Sequence, residues 1–467
     1  MATTVFERLH ARLVPYGQEH LLAFWSELDE PERRELASQI DDIDLPLVER
    51  LIRGGDAQRS AAEQALRAQP PKALRLDGSG VALSRQDARR RGEEALRRGQ
   101  VGMLLVAGGQ GTRLGATMPK GMLPIGPVSE RTLFQVLIDQ LRAVARRSGS
   151  AIPLFLMTSP ATHEPTIEYF HANDRFGLPP DDLVVFCQGT MPAVDAQSGR
   201  ILLSGPGEVC RSPDGHGGML AALAKSGGLK QAERRGISLL FYCQVDNPLT
   251  PVCDAEVIGC HLLAESELTT LVVEKSGHLE RVGNVVEVDG RMRIIEYSDL
   301  PDESARRTNA DGSLALWAGN TAVHVFDVAF LQRMAERDDV LPFHRAIKKT
   351  PHVDDSGRAV DPDEPNALKF ERFIFDLMPH ARGALAIEVD RAEAFAPVKN
   401  ASGAAADTPE TAQALMVARH RRWLEKAGAK VEPGVAVEIS PFFALDSDEL
   451  TSKIAPGLVV REPTFFE

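Results

Sequence analysis

The chain has 467 residues, 43% hydrophobic and 25% charged, with a net charge of −13. That is ordinary globular composition, with length for roughly two to four domains. The acidic balance argues against nucleic acid and anionic membranes as partners, and no stretch approaches the roughly 18 apolar residues of a membrane span. The first residues lack the layout of a secretory signal. Five cysteines lie singly between Cys187 and Cys260 with no Cys-x-x-Cys. They speak against a disulfide framework or a thiolate zinc site and for a reducing, cytoplasmic address. An anionic substrate would therefore have to be met by a few local cations and backbone N–H groups.

In chain order, residues 1–96 read as a helical N-terminal region. Leu21, Leu22, Trp25 and Leu28 fall at helical spacing after Pro15-Tyr16-Gly17. Arg85 to Arg98 is so rich in Arg and Glu that it reads as a solvated helix. The pattern changes at Gln100, where residues 97–400 are expected to form the main α/β domain. Val101–Val106, Ile152–Met157, Leu183–Phe186 and Ile237–Cys243 are short apolar runs, as expected of buried parallel strands. Helical patterns lie between them, with Leu133, Leu137, Leu141 and Val144 on one stripe, and others near Thr162–His171 and Gly218–Arg235. From Thr269 the strands Leu271–Val273, Asn284–Val288 and Met292–Glu296 imply a mixed sheet, the last two joined by an Asp289-Gly290 hairpin turn. Ala401–Asp407 reads as a linker to a small C-terminal domain, 401–467.

One loop carries most of the chemistry. Leu105-Val106-Ala107-Gly108-Gly109-Gln110-Gly111-Thr112-Arg113-Leu114-Gly115 follows the first apolar strand and leads to Met118-Pro119-Lys120-Gly121-Met122. Glycines in such a turn let backbone N–H groups line a concave anion site, and Arg113 and Lys120 add full charges. The spacing fits neither the dinucleotide fingerprint, because Gly115 comes one place late, nor the P-loop, because Lys120 precedes Gly121. Asp246 follows another apolar strand, at the carboxyl end where α/β sheets bind ligands. A carboxylate there suits magnesium, which takes one or two carboxylates plus phosphates and water.

The glycine-rich string resembles the nucleotide-binding signature of the UDP-N-acetylhexosamine pyrophosphorylases, within the wider UDP-sugar pyrophosphorylase group. Gly17-Gln18-Glu19-His20-Leu21-Leu22, Gln188-Gly189-Thr190-Met191-Pro192-Ala193, Ser212-Pro213-Asp214-Gly215-His216-Gly217-Gly218, Gln244-Val245-Asp246-Asn247, Val273-Glu274-Lys275, Glu296-Tyr297-Ser298, Ala318-Gly319-Asn320 and Pro397-Val398-Lys399-Asn400-Ala401 are similar to its further motifs, in order. The resemblance implies a Rossmann-like nucleotidyltransferase core with a mixed, mostly parallel sheet. It also implies a magnesium-assisted transfer of uridylyl from UTP to N-acetylglucosamine 1-phosphate, by in-line attack on the α-phosphorus. Arg113, Lys120 and Lys399 would be catalytic, and Asp246 would hold the metal. Ala107, Gly108, Gly109, Gly111, Thr112, Gln188 and Gly215 would bind the nucleotide, Gln188 and Gly215 reading uracil. His216, Gly283, Glu296 and Asn320 would contact the sugar.

Two positions depart from the family. Where the N-acetylhexosamine enzymes commonly carry Asn this chain has His216, which resembles the glucose and broad-specificity enzymes, and Asn284 replaces an apolar residue after Val-Gly. Both bear on the sugar, so a UDP-glucose or broad-specificity pyrophosphorylase is the first alternative. A UDP-sugar-dependent glycosyltransferase is the second, opposed by Asn247-Pro248 where an Asp-x-Asp would be needed. The whole reading requires the segment from Gly108 to Lys120 to lie close to Asp246.

Overall fold

The computed structural model describes residues 4–54, 63–111, 114–115, 118–337 and 339–467. The chain forms two compact units: one of Met1–Ala61, Gln188–Met219 and Leu341–Asp376, the other of Ala62–Cys187, Leu220–Val340 and Leu377–Glu467. These units are interleaved along the chain, whereas the sequence suggests three consecutive segments.

The second unit is built on a mixed sheet. Its strands in chain order are β1 (Ala73–Leu74), β2 (Val101–Val106), β3 (Leu154–Thr158), β4 (Leu183–Cys187), β5 (Leu239–Gln244), β6 (Leu268–Glu274), β7 (Asn284–Val288), β8 (Arg291–Ile295), β9 (Ala318–Asp327) and β10 (Ala384–Glu388). Across the sheet the order is β1-β10-β6-β9-β5-β2-β3-β4. All neighbours are parallel except β9, which runs antiparallel to both β6 and β5. Strands β2, β3 and β5 are buried almost throughout, which is why they read as unbroken apolar runs. The expected hairpin joins β7 and β8 through Asp289 (φ 52) and Gly290 (φ 76), two left-handed residues that match the twist of the strands.

The helices of this unit include α1 (Arg85–Arg97), α2 (Ala255–Leu263) and α3 (Pro409–Lys426). Helix α1 keeps most of its charged residues on an exposed face, as its composition suggests, but its opposite face is buried. Ala88, Gly92 and Ala95 form a seam of small residues against α2, so close that a Cβ on Gly92 would collide with the Ala255 carbonyl and one on Gly259 with that of Ala88. The charges do not reveal this seam, because small residues let two backbones touch with little apolar side chain. From the end of α3 onward, a separate apolar cluster of Leu424, Val431, Val437, Ile439, Leu450 and Val460 forms the core of the C-terminal segment. The pattern over 218–235 also resolves into two short helices, Met219–Lys225 and Gly228–Arg234, broken at left-handed Gly227.

The first unit gathers the N-terminal helices Val5–Leu13, Glu30–Asp41 and Leu45–Arg53 around Leu9, Leu21, Leu36, Ile40, Val194 and Phe370. The stretch around Leu21 is a short 3-10 turn, Glu19–Leu22, not a long helix. Its motif has a structural job. Gly17 turns the chain at φ 64, and buried Gln18 donates to the Gly199 carbonyl at 3.0 Å and accepts from Ile201 N–H at 2.8 Å.

No helix among the described residues is long and apolar enough to cross a membrane. Gly259→Ala should destabilise the chain by about 3 kcal/mol or more, because the added methyl meets backbone that cannot move aside. Urea unfolding checks this, with Gly290→Ala, whose Cβ meets nothing within 4 Å, losing clearly less.

Candidate active site

The carboxyl ends of β2 and β5 lie side by side, because Val106 pairs with Gln244 in parallel register. The glycine-rich loop leaves β2 there and is pinned at its start. Ala107 N–H donates to the Met157 carbonyl at 2.8 Å, and Ser159 Oγ donates to the Gly108 carbonyl at 2.7 Å. Gly111 sits at φ 67, where only glycine is free of strain, and its carbonyl accepts from Leu114 N–H. The loop then doubles back, with Lys120 N–H donating to the Gly109 carbonyl at 3.0 Å. Thr112 and Arg113 lie outside the described residues.

This return brings Lys120 Nζ to 3.2 Å from Asp246 Oδ2, with both side chains largely buried. The proximity that the sequence reading requires is present. Burial alone would raise the Asp246 carboxyl. The charges of Lys120 and Lys399 and the hydrogen bond from Lys120 outweigh it, and the group is held below the ordinary carboxylate range. Two ammonium groups therefore act on one carboxylate at the mouth of the sheet.

Lys399 is delivered by a strap, residues 390–399, tied to the β5 end. Val398 N–H donates to the Asp246 carbonyl at 2.8 Å. Asn247, next to Asp246, is a clamp: its Nδ2 donates to the Ala394 carbonyl at 2.8 Å and its Oδ1 accepts from Ala396 N–H at 2.9 Å. The expected linker 401–407 is anchored at its end, where the Asp407 carbonyl accepts from both Lys399 and Asn400 N–H.

Gly283, Glu296 and Asn320 come together beside β7 and β9. A Cβ on Gly283 would lie 3.1 Å from Glu296 Oε1 and 3.6 Å from Asn320 Cβ, and Asn320 N–H donates to the Gly283 carbonyl at 2.8 Å. The unusual Asn284 is explained by Lys275. Both are buried, and Lys275 Nζ donates to Asn284 Oδ1 at 2.6 Å. Burial pushes the Lys275 ammonium down, with Glu280 opposing. Val-Glu-Lys at a strand end is the only hint in the sequence, and it does not reveal a buried cation.

Gln188, Gly215 and His216 belong to the first unit. Gln188 is buried, although its residue type favours exposure. Buried Asp214 ties the two motifs: its N–H donates to the Gly189 carbonyl, and its carboxylate pairs with Arg372 at 2.5 Å. Gly215 adopts φ 83 against the Arg372 backbone, where no side chain fits. His216 stacks on Phe373, and its Nδ1 accepts from Ile374 N–H at 3.3 Å. A neutral His216 therefore carries its proton on Nε2. Phe373 stacks in turn on His344, which is hydrogen-bonded to Asp376 at 2.7 Å. Sequence reasoning misses this aromatic group, since Phe-Ile-Phe reads as core.

A mixed sheet with a glycine-rich anion loop and a lysine-flanked aspartate at adjacent strand ends defines a nucleotidyltransferase-type α/β protein. The profile of the UTP–glucose-1-phosphate uridylyltransferase family matches residues 48–453, and the chain belongs to that family. It is 37% identical to the UDP-N-acetylhexosamine pyrophosphorylase-like protein 1 of Homo sapiens, over 90% of this chain and 86% of that one. It is 34% identical to the UDP-N-acetylglucosamine pyrophosphorylase of Saccharomyces cerevisiae, covering 93% and 94%. Its fold matches the crystal structure of the UDP-N-acetylglucosamine pyrophosphorylase of Trypanosoma brucei with a TM-score of 0.78 at 26% identity, covering 99% of each chain.

Asn284→Val should cost about 1–3 kcal/mol, because it strips the partner from a buried ammonium. The double variant Asn284→Val/Lys275→Met should recover most of that loss in urea unfolding, whereas a merely steric role for Asn284 predicts additive losses.

Proposed function

We propose that the chain transfers the uridylyl group of UTP to N-acetylglucosamine 1-phosphate, giving UDP-N-acetylglucosamine and pyrophosphate. A phosphate oxygen of the sugar phosphate attacks the α-phosphorus of UTP. The bond from that phosphorus to the bridging oxygen of the β-phosphate breaks, and the electron pair leaves with pyrophosphate. The nucleophile is already an anion near neutral pH, so no general base is required. The barrier is mutual repulsion of two phosphate esters, and positive charge placed beforehand lowers it.

The observation that carries this reading is the Lys120–Asp246 pair, 3.2 Å apart, with Lys399 acting on the same carboxylate. Lys120 is proposed to swing from Asp246 to the α-phosphate, as a compact charge on a flexible stem suits. Lys399 is proposed to neutralise the bridging phosphates. The N–H groups of Gly108 to Gly111 would line the phosphate cradle, with Ala107, whose own N–H is committed to the Met157 carbonyl, at its edge and Thr112 and Arg113 continuing it toward the leaving pyrophosphate.

Magnesium is the cofactor proposed, with Asp246 as its protein ligand. An ionised carboxylate beside the phosphate loop fits a cation that takes most of its ligands from phosphates and water. The ion would draw charge from the phosphates as the bond to the leaving group lengthens. Gln188 and Gly215 are proposed to read the uracil edge. Gly283, Glu296, Asn320 and His216 are proposed to read the sugar. The reading also takes the chain as an intracellular enzyme with no nucleic-acid or membrane partner.

The His at 216 favours a second reading, glucose 1-phosphate as an accepted or preferred substrate. An imidazole can donate a hydrogen bond, and an Asn amide in that slot can donate too, so N-acetylglucosamine 1-phosphate stays first.

Two measurements test this. With UTP and N-acetylglucosamine 1-phosphate, pyrophosphate release should fall by about 10²–10³ in Lys120→Ala; undiminished turnover would sink the mechanism. In a panel of sugar 1-phosphates, the N-acetylated substrate should show the highest kcat/KM, and preference for glucose 1-phosphate would overturn the sugar assignment.

A further inference from the structure

A cavity of about 280 Å³ lies within the second unit, apart from the phosphate loop. It falls just under the roughly 300–1,000 Å³ of typical small-molecule pockets. Its walls are α3 (Arg419, His420, Trp423), the start of α2 (Asp254, Val257), the strap at Asp390–Ala394, and the C-terminal segment at Ile439 and Ala444.

The charge balance in this cavity is unusual. Its carboxylates are committed. Glu256 pairs with Arg85 and Glu388 with Arg75, while Glu393 is bonded through both oxygens, to Arg422 and Trp423 Nε1. Asp254 caps α2, and Asp390 caps the short helix Arg391–Ala394. Arg419 is the exception. Among the described residues it has no carboxylate within ion-pair distance. Of the five N–H donors of a guanidinium, one reaches the Glu393 carbonyl at 3.2 Å and one reaches His420 Nε2 at 3.4 Å, and Nε has no partner. Its plane lies over Trp423, 5.2 Å from the ring centre. Burial pushes this guanidinium down to about 10, against the charge of Glu393. The side chain is only partly buried, but its Nε is buried without a partner and no ion pair among the described residues holds the guanidinium, so the group has capacity for a further acceptor.

We propose that this cavity is a second ligand site, for a small organic monoanion with a flat apolar body, and that its occupation acts on the active site through the strap. Arg419 supplies a planar fork for a carboxylate, and Trp423, Ile439 and Ala444 offer apolar wall. The surrounding carboxylates disfavour polyanions, so UTP and pyrophosphate are not its ligands. The link to the active site is short and continuous. Arg419 holds the Glu393 carbonyl, Ala394 and Ala396 are clamped by Asn247, and Val398 is bonded to Asp246 just before Lys399. A carboxylate that engages Arg419 competes with the Glu393 carbonyl and loosens the segment that presents Lys399. Turnover falls as a result.

Benzoate is the probe. Titrated onto the full chain by calorimetry, it should bind saturably in the millimolar range, and saturating magnesium–UTP should not displace it. Its affinity should fall about tenfold or more in Arg419→Gln, and likewise in Ala444→Trp, which fills the cavity without touching the cation. Thermal unfolding confirms that each variant is folded, and either one suffices for the comparison. Saturating benzoate should lower kcat in the wild type, with little change in the KM for UTP, and should leave the kcat of Ala444→Trp unaltered. Equal affinity in the folded variants, displacement by magnesium–UTP, no saturable binding at tens of millimolar, or binding without any change in kcat would each overturn the proposal.

Discussion

The active-site architecture rests on a single ion pair at the ends of two adjacent parallel strands. The Lys120–Asp246 contact exists because β2 and β5 pair in register, so that the loop leaving one and the residue following the other reach the same place. Such a pair is a poor source of stability, since desolvating both ions costs about as much as their attraction returns. Its value is electrostatic readiness. With Lys399 added, two ammonium groups act on one carboxylate, and Lys399 is shared with the Asp407 carboxylate nearby.

The surrounding structure serves that cluster. The glycine-rich loop is pinned at Ala107, Gly108 and Gly109 by backbone and Ser159 hydrogen bonds, so the N–H groups at its described start are oriented in advance. Asn247 performs a different task from its neighbour Asp246, holding the strap from which Lys399 projects. A site assembled from three stretches distant in sequence thereby acts as one.

Much of this is legible in the sequence, for identifiable reasons. Parallel strands buried on both faces leave plain apolar runs, and β2 to β5 stand within a residue or two of those runs. Asp289-Gly290 encodes a turn locally, and the hairpin forms there. The loop motif, Lys120 and Asp246 are visible because glycines and cations crowd together directly after one apolar strand and Asp246 follows another. What fails depends on long-range packing. The first unit joins segments separated by roughly 120 residues of chain, which no local pattern reports. The α1–α2 seam hides behind arginines, and the short turn at Leu21 reads as a helix because helical spacing also fits a brief 3-10 segment. The Lys275–Asn284 pair and the aromatic group around His216 need three dimensions to be seen.

The central claim is that Asp246 repels the phosphates of UTP unless a metal ion lies between them, while it holds Lys120 in wait. The affinity for UTP should therefore be measured with and without magnesium, in the wild type and in Asp246→Asn. The account predicts that the variant binds metal-free UTP more tightly than the wild type and loses most of the gain that magnesium confers. An equal magnesium gain in both proteins would contradict it.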